Sequence, residues 1–174
     1  MTITIREGRP EDLHAILGML DSSVEWLVSQ GRTEQWGTEP LSQHEKTVRA
    51  VAGAMDEGAT YIAEVDGVPA ASLTLTDGPG SYLSHLPPPG EPERYIHWLA
   101  SDRRFKGRGA GSALLAHAAE TTRRAGIGLL RVDCYAGGDR KLVAYYEANG
   151  FTPTHTYTHG PEAWPGQVLA RRLD

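Results

Sequence analysis

The chain has 174 residues, of which 17 are basic and 22 are acidic, giving a formal net charge of −5 and a pI near 5.8. This length predicts a single domain over residues 1–174, and the acidic balance argues against general binding to nucleic acid. The sequence has no long apolar run, no signal-peptide layout and one cysteine, Cys134, so it predicts a cytoplasmic protein without a disulfide or a membrane span.

The first forty residues predict a strand, a helix and a loop. Residues Thr2–Glu7 alternate polar and apolar side chains, as a half-buried strand does. Pro10 suits the first position of a helix, and the apolar face of that helix comprises Leu13, Ile16, Leu17 and Leu20. From Val24 onward the sequence is aromatic and predicts a loop around Gly31 and Gly37.

The next segment predicts a second helix and a β-hairpin. Ser42 has the side chain of an N-cap and Glu45 completes a capping box, so a helix is expected from about Ser42 to Asp56. Two β-rich runs over residues 59–76 flank an Asp-Gly pair, which is typical of a hairpin turn. The stretch 77–92 is rich in Gly, Pro and Ser, and it predicts a surface excursion rather than a domain linker.

The C-terminal half begins with a candidate buried strand, Arg94–Ser101. A glycine-rich turn, a helix to about Gly126 and a strand over Gly128–Tyr135 are expected to follow. A short helix with Gly150 as its C′ residue and a final hairpin complete the order β-α-α-β-β-β-α-β-α-β-β. This order predicts an α/β fold with a mixed sheet.

The turn before the third helix carries glycines at alternate positions, Gly107, Gly109 and Gly111, within FKGRGAGSALL. The first N–H groups of a helix lack internal partners and the helix dipole is positive there, so such a turn can bind an anion. Glycine also lets the backbone approach a ligand closely. The alternative interpretation is a flexible strand-to-helix turn that binds nothing.

Two nucleotide-binding motifs match this turn only in part. A phosphate loop of nucleotide hydrolases ends in Gly-Lys-Ser/Thr, and GAGSA lacks the lysine. A dinucleotide fingerprint would use Asp133 at the end of the next strand, but Leu114 stands where its third glycine belongs. Too little chain follows Asp133 for the remaining strands of a doubly wound domain, so both motifs are disfavoured.

Together with YYEANGF further along, the turn resembles the acetyl-CoA-binding half of the GNAT superfamily of N-acetyltransferases. That family's signature is a basic or amide residue, two variable residues, Gly, a variable residue, and Gly or Ala, and it falls on residues Lys106–Gly111. Lys106 departs mildly, because Arg or Gln is usual at the first position. The resemblance covers nearly the whole chain and implies a mostly antiparallel central sheet flanked by helices.

The resemblance also implies acetyl-CoA as cosubstrate and no metal. The loop amides would hold the pyrophosphate of coenzyme A, and the backbone of the preceding strand would pair with its pantetheine arm. Asp139 departs from the asparagine that is frequent at its position. The implied cofactor-binding residues are Leu99, Ala100, Ser101, Lys106, Gly107, Arg108, Gly109, Ala110, Gly111, Ser112, Asp139 and Tyr146.

Proton transfer has three candidate residues. An alkylammonium is protonated at pH 7 and must lose a proton before it attacks a thioester. Glu93 and His97 are the candidate bases, and the alternatives are a surface acid and a half-buried structural histidine. Tyr146 stands at the position of the family's usual tyrosine, which makes it the candidate acid for the leaving thiolate. Asp139 precedes Tyr146 by seven residues, which predicts that both share one helix face.

The acceptor is the least determined part of the function. By resemblance it would contact the region of the first two helices and the tail, where Trp26, Trp36, Glu25 and Tyr82 are the predicted substrate-binding residues. Aromatic and acidic side chains together suit an amine, although packing and solvation are alternative roles. Three functions stay open: acetyl transfer to a small-molecule amine, acetyl transfer to a protein or peptide, and non-catalytic acyl-CoA binding. The sequence also leaves open whether the chain is a monomer or a homodimer.

Overall fold

The computed structural model describes all residues, Met1–Asp174, and contains one seven-stranded sheet in the order β1-β2-β3-β4-β5-β7-β6. The pair β4–β5 is parallel, and the pairs β1–β2, β2–β3, β5–β7 and β6–β7 are antiparallel. The predicted element order and the mixed, mostly antiparallel sheet flanked by helices are therefore confirmed. The elements are β1 Ile3–Glu7, α1 Leu13–Ser29, α2 Glu45–Glu57, β2 Ala59–Val65, β3 Val68–Thr76, β4 Arg94–Ser101, α3 Ala110–Arg124, β5 Leu129–Tyr135, α4 Lys141–Ala148, β6 Thr152–His159 and β7 Trp164–Arg172.

The chain forms two compact units, each made of two stretches of sequence. The first unit comprises Met1–Leu75 and His97–His117, and the second comprises Thr76–Ile96 and Ala118–Asp174. Strand β4 and helix α3 each contribute residues to both units. None of the four helices combines the length and apolar character that a membrane-spanning helix needs.

The core of the first unit lies between helices α1 and α2 and one face of the sheet. Ile16 and Leu20 of α1, Val51 of α2 and Ile62 of β2 are at most 1% exposed. Burial of each such side chain stabilises the fold by about 1.5–3 kcal/mol. The predicted apolar face of α1 is confirmed, because its other members, Leu13 and Leu17, pack at the edge of the same cluster.

Two predicted helix boundaries in the first unit are wrong. Helix α1 continues to Ser29, because Val24 and Leu27 extend its apolar stripe and are buried. Helix α2 begins at Glu45, so Ser42 is not its N-cap. Ser42 instead donates its hydroxyl to Oδ2 of Asp21 at 2.5 Å and its N–H to Oδ1 at 2.9 Å. A carboxylate from α1, distant in sequence, thus takes the donor that the capping box would have used.

The predicted hairpin turn is confirmed in its backbone geometry. Asp66 and Gly67 both adopt positive φ angles, 50° and 82°, as the favoured two-residue hairpin turn requires. They join β2 and β3 in antiparallel register, with Val65 opposite Val68. This hairpin places two long, largely buried strands beside β1 at one edge of the sheet.

The second unit has its own apolar cluster, to which the excursion 77–92 contributes. Most of that segment is exposed, but Leu83, in a short 3₁₀ turn, is only 3% exposed. It packs with Tyr95, Tyr157 and Val168 on one face of the sheet. The segment is therefore a surface excursion, as predicted, with an apolar anchor that the sequence did not reveal.

Candidate functional site

The glycine-rich turn lies in the first unit and leads directly into α3. Gly107 and Gly109 adopt φ angles of 78° and 83°, and no other atom lies within 4 Å of where their Cβ atoms would stand. The first backbone bond of the helix runs from the Ala113 N–H to the Gly109 carbonyl at 2.9 Å. The N–H groups of Ala110 to Ser112 precede it, so they belong to the positive end of the helix. This open backbone fits an anion such as a pyrophosphate.

Positive side chains gather around the same turn. Lys106 and Arg108 are exposed, as expected for residues that meet a soluble anion. The Arg103 guanidinium stacks 3.7 Å from the ring centroid of Trp26, and the Lys106 ammonium lies 5.4 Å from that centroid. Burial lowers the pKa of Arg103, whose Nε and Nη2 atoms are buried without a hydrogen-bond partner. Trp26, a predicted substrate contact, therefore supports cations next to the turn in this structure.

Strand β4 changes character at Trp98. Its parallel pairing with β5 covers Arg94–Ile96 opposite Leu130–Val132. Trp98 then takes a φ angle of 53°, a left-handed conformation that costs a non-glycine residue about 1–2 kcal/mol. Its side chain packs against the α1–α2 core, which offsets that strain. The residues predicted to face the pantetheine arm, Leu99–Ser101, follow this irregularity and lie outside the β4–β5 pairing, and nothing in the sequence signals the irregularity.

Glu93, one candidate base, is held in a buried ion pair. Its two carboxylate oxygens accept hydrogen bonds from Nε and Nη2 of Arg131 at 2.6 and 2.8 Å, with 6% and 9% of the two side chains exposed. The pair raises the pKa of Arg131. Protonation of Glu93 would leave a buried arginine without its counter-charge, so this arrangement disfavours Glu93 as a base. His97, the other candidate, is half-buried on β4 in the first unit.

Tyr146 lies on the buried face of α4, together with Val143. Its ring centroid is 5.5 Å from that of Tyr145 and 5.9 Å from that of Phe151. Burial raises the pKa of Tyr146 well above the usual 10, so its phenol keeps its proton at pH 7. Burial also raises the pKa of the nearby Cys134 thiol to about 12, which makes that cysteine an inert packing residue.

The predicted placement of Asp139 on the same helix face as Tyr146 is wrong. Helix α4 begins only at Lys141, after Arg140 has turned the chain with a φ angle of 58°. Asp139 is exposed and its Oδ1 accepts the backbone N–H of Lys141 at 3.1 Å. A contact between Asp139 and coenzyme A stays a prediction, because the periodicity that supported it does not extend to this residue.

The second unit contains a polar cluster that sequence reasoning missed, and we call it the tyrosine–aspartate network: Asp133, Tyr82, Tyr95 and Tyr157. All three phenols donate hydrogen bonds to the Asp133 carboxylate. The signal in the sequence was weak, because β5 alternates polar and buried residues over Arg131–Tyr135. Only the fold brings together tyrosines from three different segments.

The four predicted substrate contacts lie in different parts of the molecule. Trp26, Trp36 and Glu25 belong to the first unit, where Trp36 packs against the α1–α2 core and Glu25 is exposed on α1. Tyr82 belongs to the second unit and contacts Asp133. The structure contains no group of three or more His, Cys, Asp or Glu side chains that could hold a metal ion.

A mixed sheet with one parallel strand pair, followed by a glycine-rich anion turn at a helix N-terminus, defines this chain as an acyl-transferring enzyme rather than a nucleotide hydrolase. The model of the acetyltransferase (GNAT) family matches residues 22–151. The chain belongs to that family and is an N-acetyltransferase, as the resemblance predicted.

Similarity to individual proteins agrees with this membership. Over 149 residues the chain is 30% identical to the uncharacterized N-acetyltransferase YesJ of Bacillus subtilis (strain 168), covering 81% of this chain and 77% of YesJ. Ard1 from Thermoplasma volcanium has the same fold with a TM-score of 0.71 at 18% identity, over 100% of this chain and 99% of Ard1. The protein yncA from Salmonella typhimurium, described as an acetyltransferase and solved with its cofactor acetyl-CoA, gives a TM-score of 0.65 at 16% identity, over 100% and 95% of the two chains.

Proposed function

We propose that this enzyme transfers the acetyl group of acetyl-CoA directly to a primary amine of a small molecule. The observation that carries the cofactor assignment is the glycine-rich turn. Its open backbone at Gly107 and Gly109 and the N–H groups that begin α3 fit the pyrophosphate, and Lys106 and Arg108 add positive charge. Bound acetyl-CoA supplies an activated acetyl thioester.

The reaction needs one proton removed and one supplied. The acceptor nitrogen must be neutral to bond to the carbonyl carbon as the carbon–sulfur bond breaks, and the departing thiolate then takes a proton. His97 is the proposed proton acceptor, directly or through a water molecule, because Glu93 is committed to Arg131. Tyr146 is the proposed donor, because its buried phenol stays protonated. A backbone N–H near Leu99 is the proposed donor to the oxyanion.

A compact acceptor is favoured over an extended peptide by the segment 77–92. A peptide needs an open groove, whereas Leu83 and Leu86 pack this segment onto Tyr95 and Tyr157 of the second unit. Tyr82 adds hydrogen bonds from the same segment to Asp133. The segment therefore covers a face of the sheet that a peptide would otherwise have available.

The test is release of the coenzyme A thiol from acetyl-CoA across a panel of amines, amino acids, aminoglycosides and N-terminal peptides. We expect turnover with at least one small amine, and a covalent acetyl adduct of that amine by mass spectrometry. Turnover with peptides alone would contradict the acceptor assignment and favour a peptide acetyltransferase. Tight coenzyme A binding without turnover on any acceptor would contradict the enzymatic proposal.

A further inference from the structure

The tyrosine–aspartate network surrounds one carboxylate with two inner donors and one outer donor. Tyr95 donates to Oδ1 of Asp133 at 2.7 Å, and Tyr157 donates to Oδ2 at 2.5 Å. Both tyrosines are buried, with 0% and 6% of their surface exposed. The Tyr82 hydroxyl lies 2.9 Å from each oxygen, and Tyr82 is 39% exposed. Tyr82 thus bridges the carboxylate from the solvent side.

No ion pair neutralises the Asp133 carboxylate. Arg131 lies on the same face of β5, but its guanidinium is bonded to both carboxylate oxygens of Glu93. Burial and the charge of Asp133 raise the pKa of all three phenols above the usual 10, so they donate as neutral groups. A partly exposed carboxylate that is bonded only to neutral donors keeps a negative charge that a cation can meet.

Aromatic rings form a wall around the outer donor. The Tyr82 ring centroid lies 5.6 Å from that of His159 and 6.0 Å from that of Tyr157. Glycines make room for these rings, because a Cβ at Gly80 would overlap the Tyr82 ring and one at Gly166 would overlap the Tyr157 ring. A carboxylate beside aromatic faces is the arrangement that recognises an alkylammonium group.

We propose that Asp133 binds an ammonium group of the acceptor, whose N–H groups replace the bridging hydroxyl of Tyr82. The proposal rests on the proposed function, and it names the class of acceptor. The inner donors Tyr95 and Tyr157 stay in place and orient the carboxylate, while the Tyr82 ring remains beside the cation as part of the aromatic wall.

An ammonium bound to Asp133 cannot be the nitrogen that is acetylated. Pairing with a carboxylate favours the charged form of an amine, and a protonated nitrogen has no lone pair for attack. The acetylated nitrogen must be a second one on the same molecule. The acceptor is therefore a dibasic amine, with one nitrogen held as a cation and the other one reacting.

Steady-state rates with 1,4-diaminobutane and its longer homologues, against 1-aminobutane and its matching homologues, test this inference. We expect a diamine of suitable length to have a KM about 10- to 100-fold below that of its monoamine, the range that one charge-assisted contact supplies. Asp133→Asn should abolish this difference and leave kcat and the monoamine KM nearly unchanged. Asp77→Asn is the matched control, because it removes an exposed carboxylate of the same unit, and it should preserve the difference.

Two substitutions of Tyr82 separate binding from a purely structural role. Tyr82→Phe keeps the ring and removes the competing hydroxyl, so the diamine KM should stay level or fall. Tyr82→Ala removes the aromatic wall and should raise the diamine KM several-fold. If the network only braces the fold, Tyr82→Phe will instead lower the melting temperature and change diamine and monoamine kinetics equally. These two variants decide the question even if Asp133→Asn does not fold.

Calorimetric titration of 1,4-diaminobutane, with and without coenzyme A, distinguishes failure of this inference from failure of the proposed function. Equal KM values for every diamine and its monoamine would overturn the inference and leave acetyl transfer standing. Diamine binding that depends on Asp133, with no acetylation of any amine, would support the cation site and overturn the proposed function. Absence of both binding and discrimination would overturn the cation site.

Discussion

The glycine-rich turn of the first unit and the tyrosine–aspartate network of the second unit handle charge in opposite ways. The turn offers backbone N–H groups, positive φ angles and open space, all within residues 107–112. The network offers four side chains from segments up to 75 residues apart in the chain, Tyr82 to Tyr157, around one carboxylate. The first arrangement suits an anion that many relatives share, and the second suits a cation specific to this chain's acceptor.

The comparison teaches where a substitution should act. A backbone site is insensitive to most side-chain changes but fails when a glycine is replaced, because the geometry itself is lost. A side-chain network tolerates distant changes and fails when a donor or acceptor is removed. Substitutions in the second unit should therefore alter turnover, acceptor choice or stability, whereas those in the turn should alter coenzyme A affinity.

Tyr146→Phe should give the largest effect. Losing a proton donor typically lowers a rate by about 10²–10⁴, so kcat should fall by that factor while the acetyl-CoA dissociation constant stays near its parent value. The ring and its contact with Phe151 survive the change. Tyr145→Phe is the matched control and should be nearly silent in steady-state kinetics. Full kcat in both variants would show that the thiolate leaves without help from either phenol.

Glu93→Gln should act on stability rather than on the chemistry. It leaves Arg131 buried without its counter-charge, so the free energy of unfolding should fall by about 3 kcal/mol, measurable by denaturant titration. Glu91→Gln, which disrupts an exposed pair with Arg172, should change it by less than about 1 kcal/mol.

The dependence of kcat/KM on pH separates the two candidate bases. Glu93→Gln should keep the parent profile, and His97→Ala should remove the ionisation that limits the rate at low pH. A profile altered by Glu93→Gln and unchanged by His97→Ala would reverse our assignment. Parent profiles in both variants would mean that the amine loses its proton to bulk water before it binds.

Gly109→Glu should weaken coenzyme A binding by about 100-fold, because it places an anion beside N–H groups that bind a pyrophosphate. Gly67→Glu is the matched control, since Gly67 has a φ angle of 82° and open space like Gly109. Both variants should lose similar stability from backbone strain, and only Gly109→Glu should lose affinity in calorimetry. Normal binding by Gly109→Glu would make the assignment of the turn to the pyrophosphate wrong.

The sequence by itself determined the features that depend on neighbouring residues. The element order, the Asp66-Gly67 turn, the bounds of β4 and the glycine-rich turn are all encoded within a few consecutive positions. Hydrophobic periodicity and glycine conformation act over that range. Pattern reasoning erred where local signals were ambiguous, as at the C-terminal part of α1 and at Asp139, where the helix begins two residues later than the spacing argument required.

Only the tertiary structure decided which polar groups become partners. Ser42 bonds to Asp21 instead of capping α2, Glu93 pairs with Arg131 instead of standing free as a base, and Asp133 gathers three tyrosines. A buried polar group must find a partner, because leaving it unsatisfied costs about 1–3 kcal/mol. Which partner it finds depends on segments that the folded sheet brings together, and sequence separation carries no information about that choice.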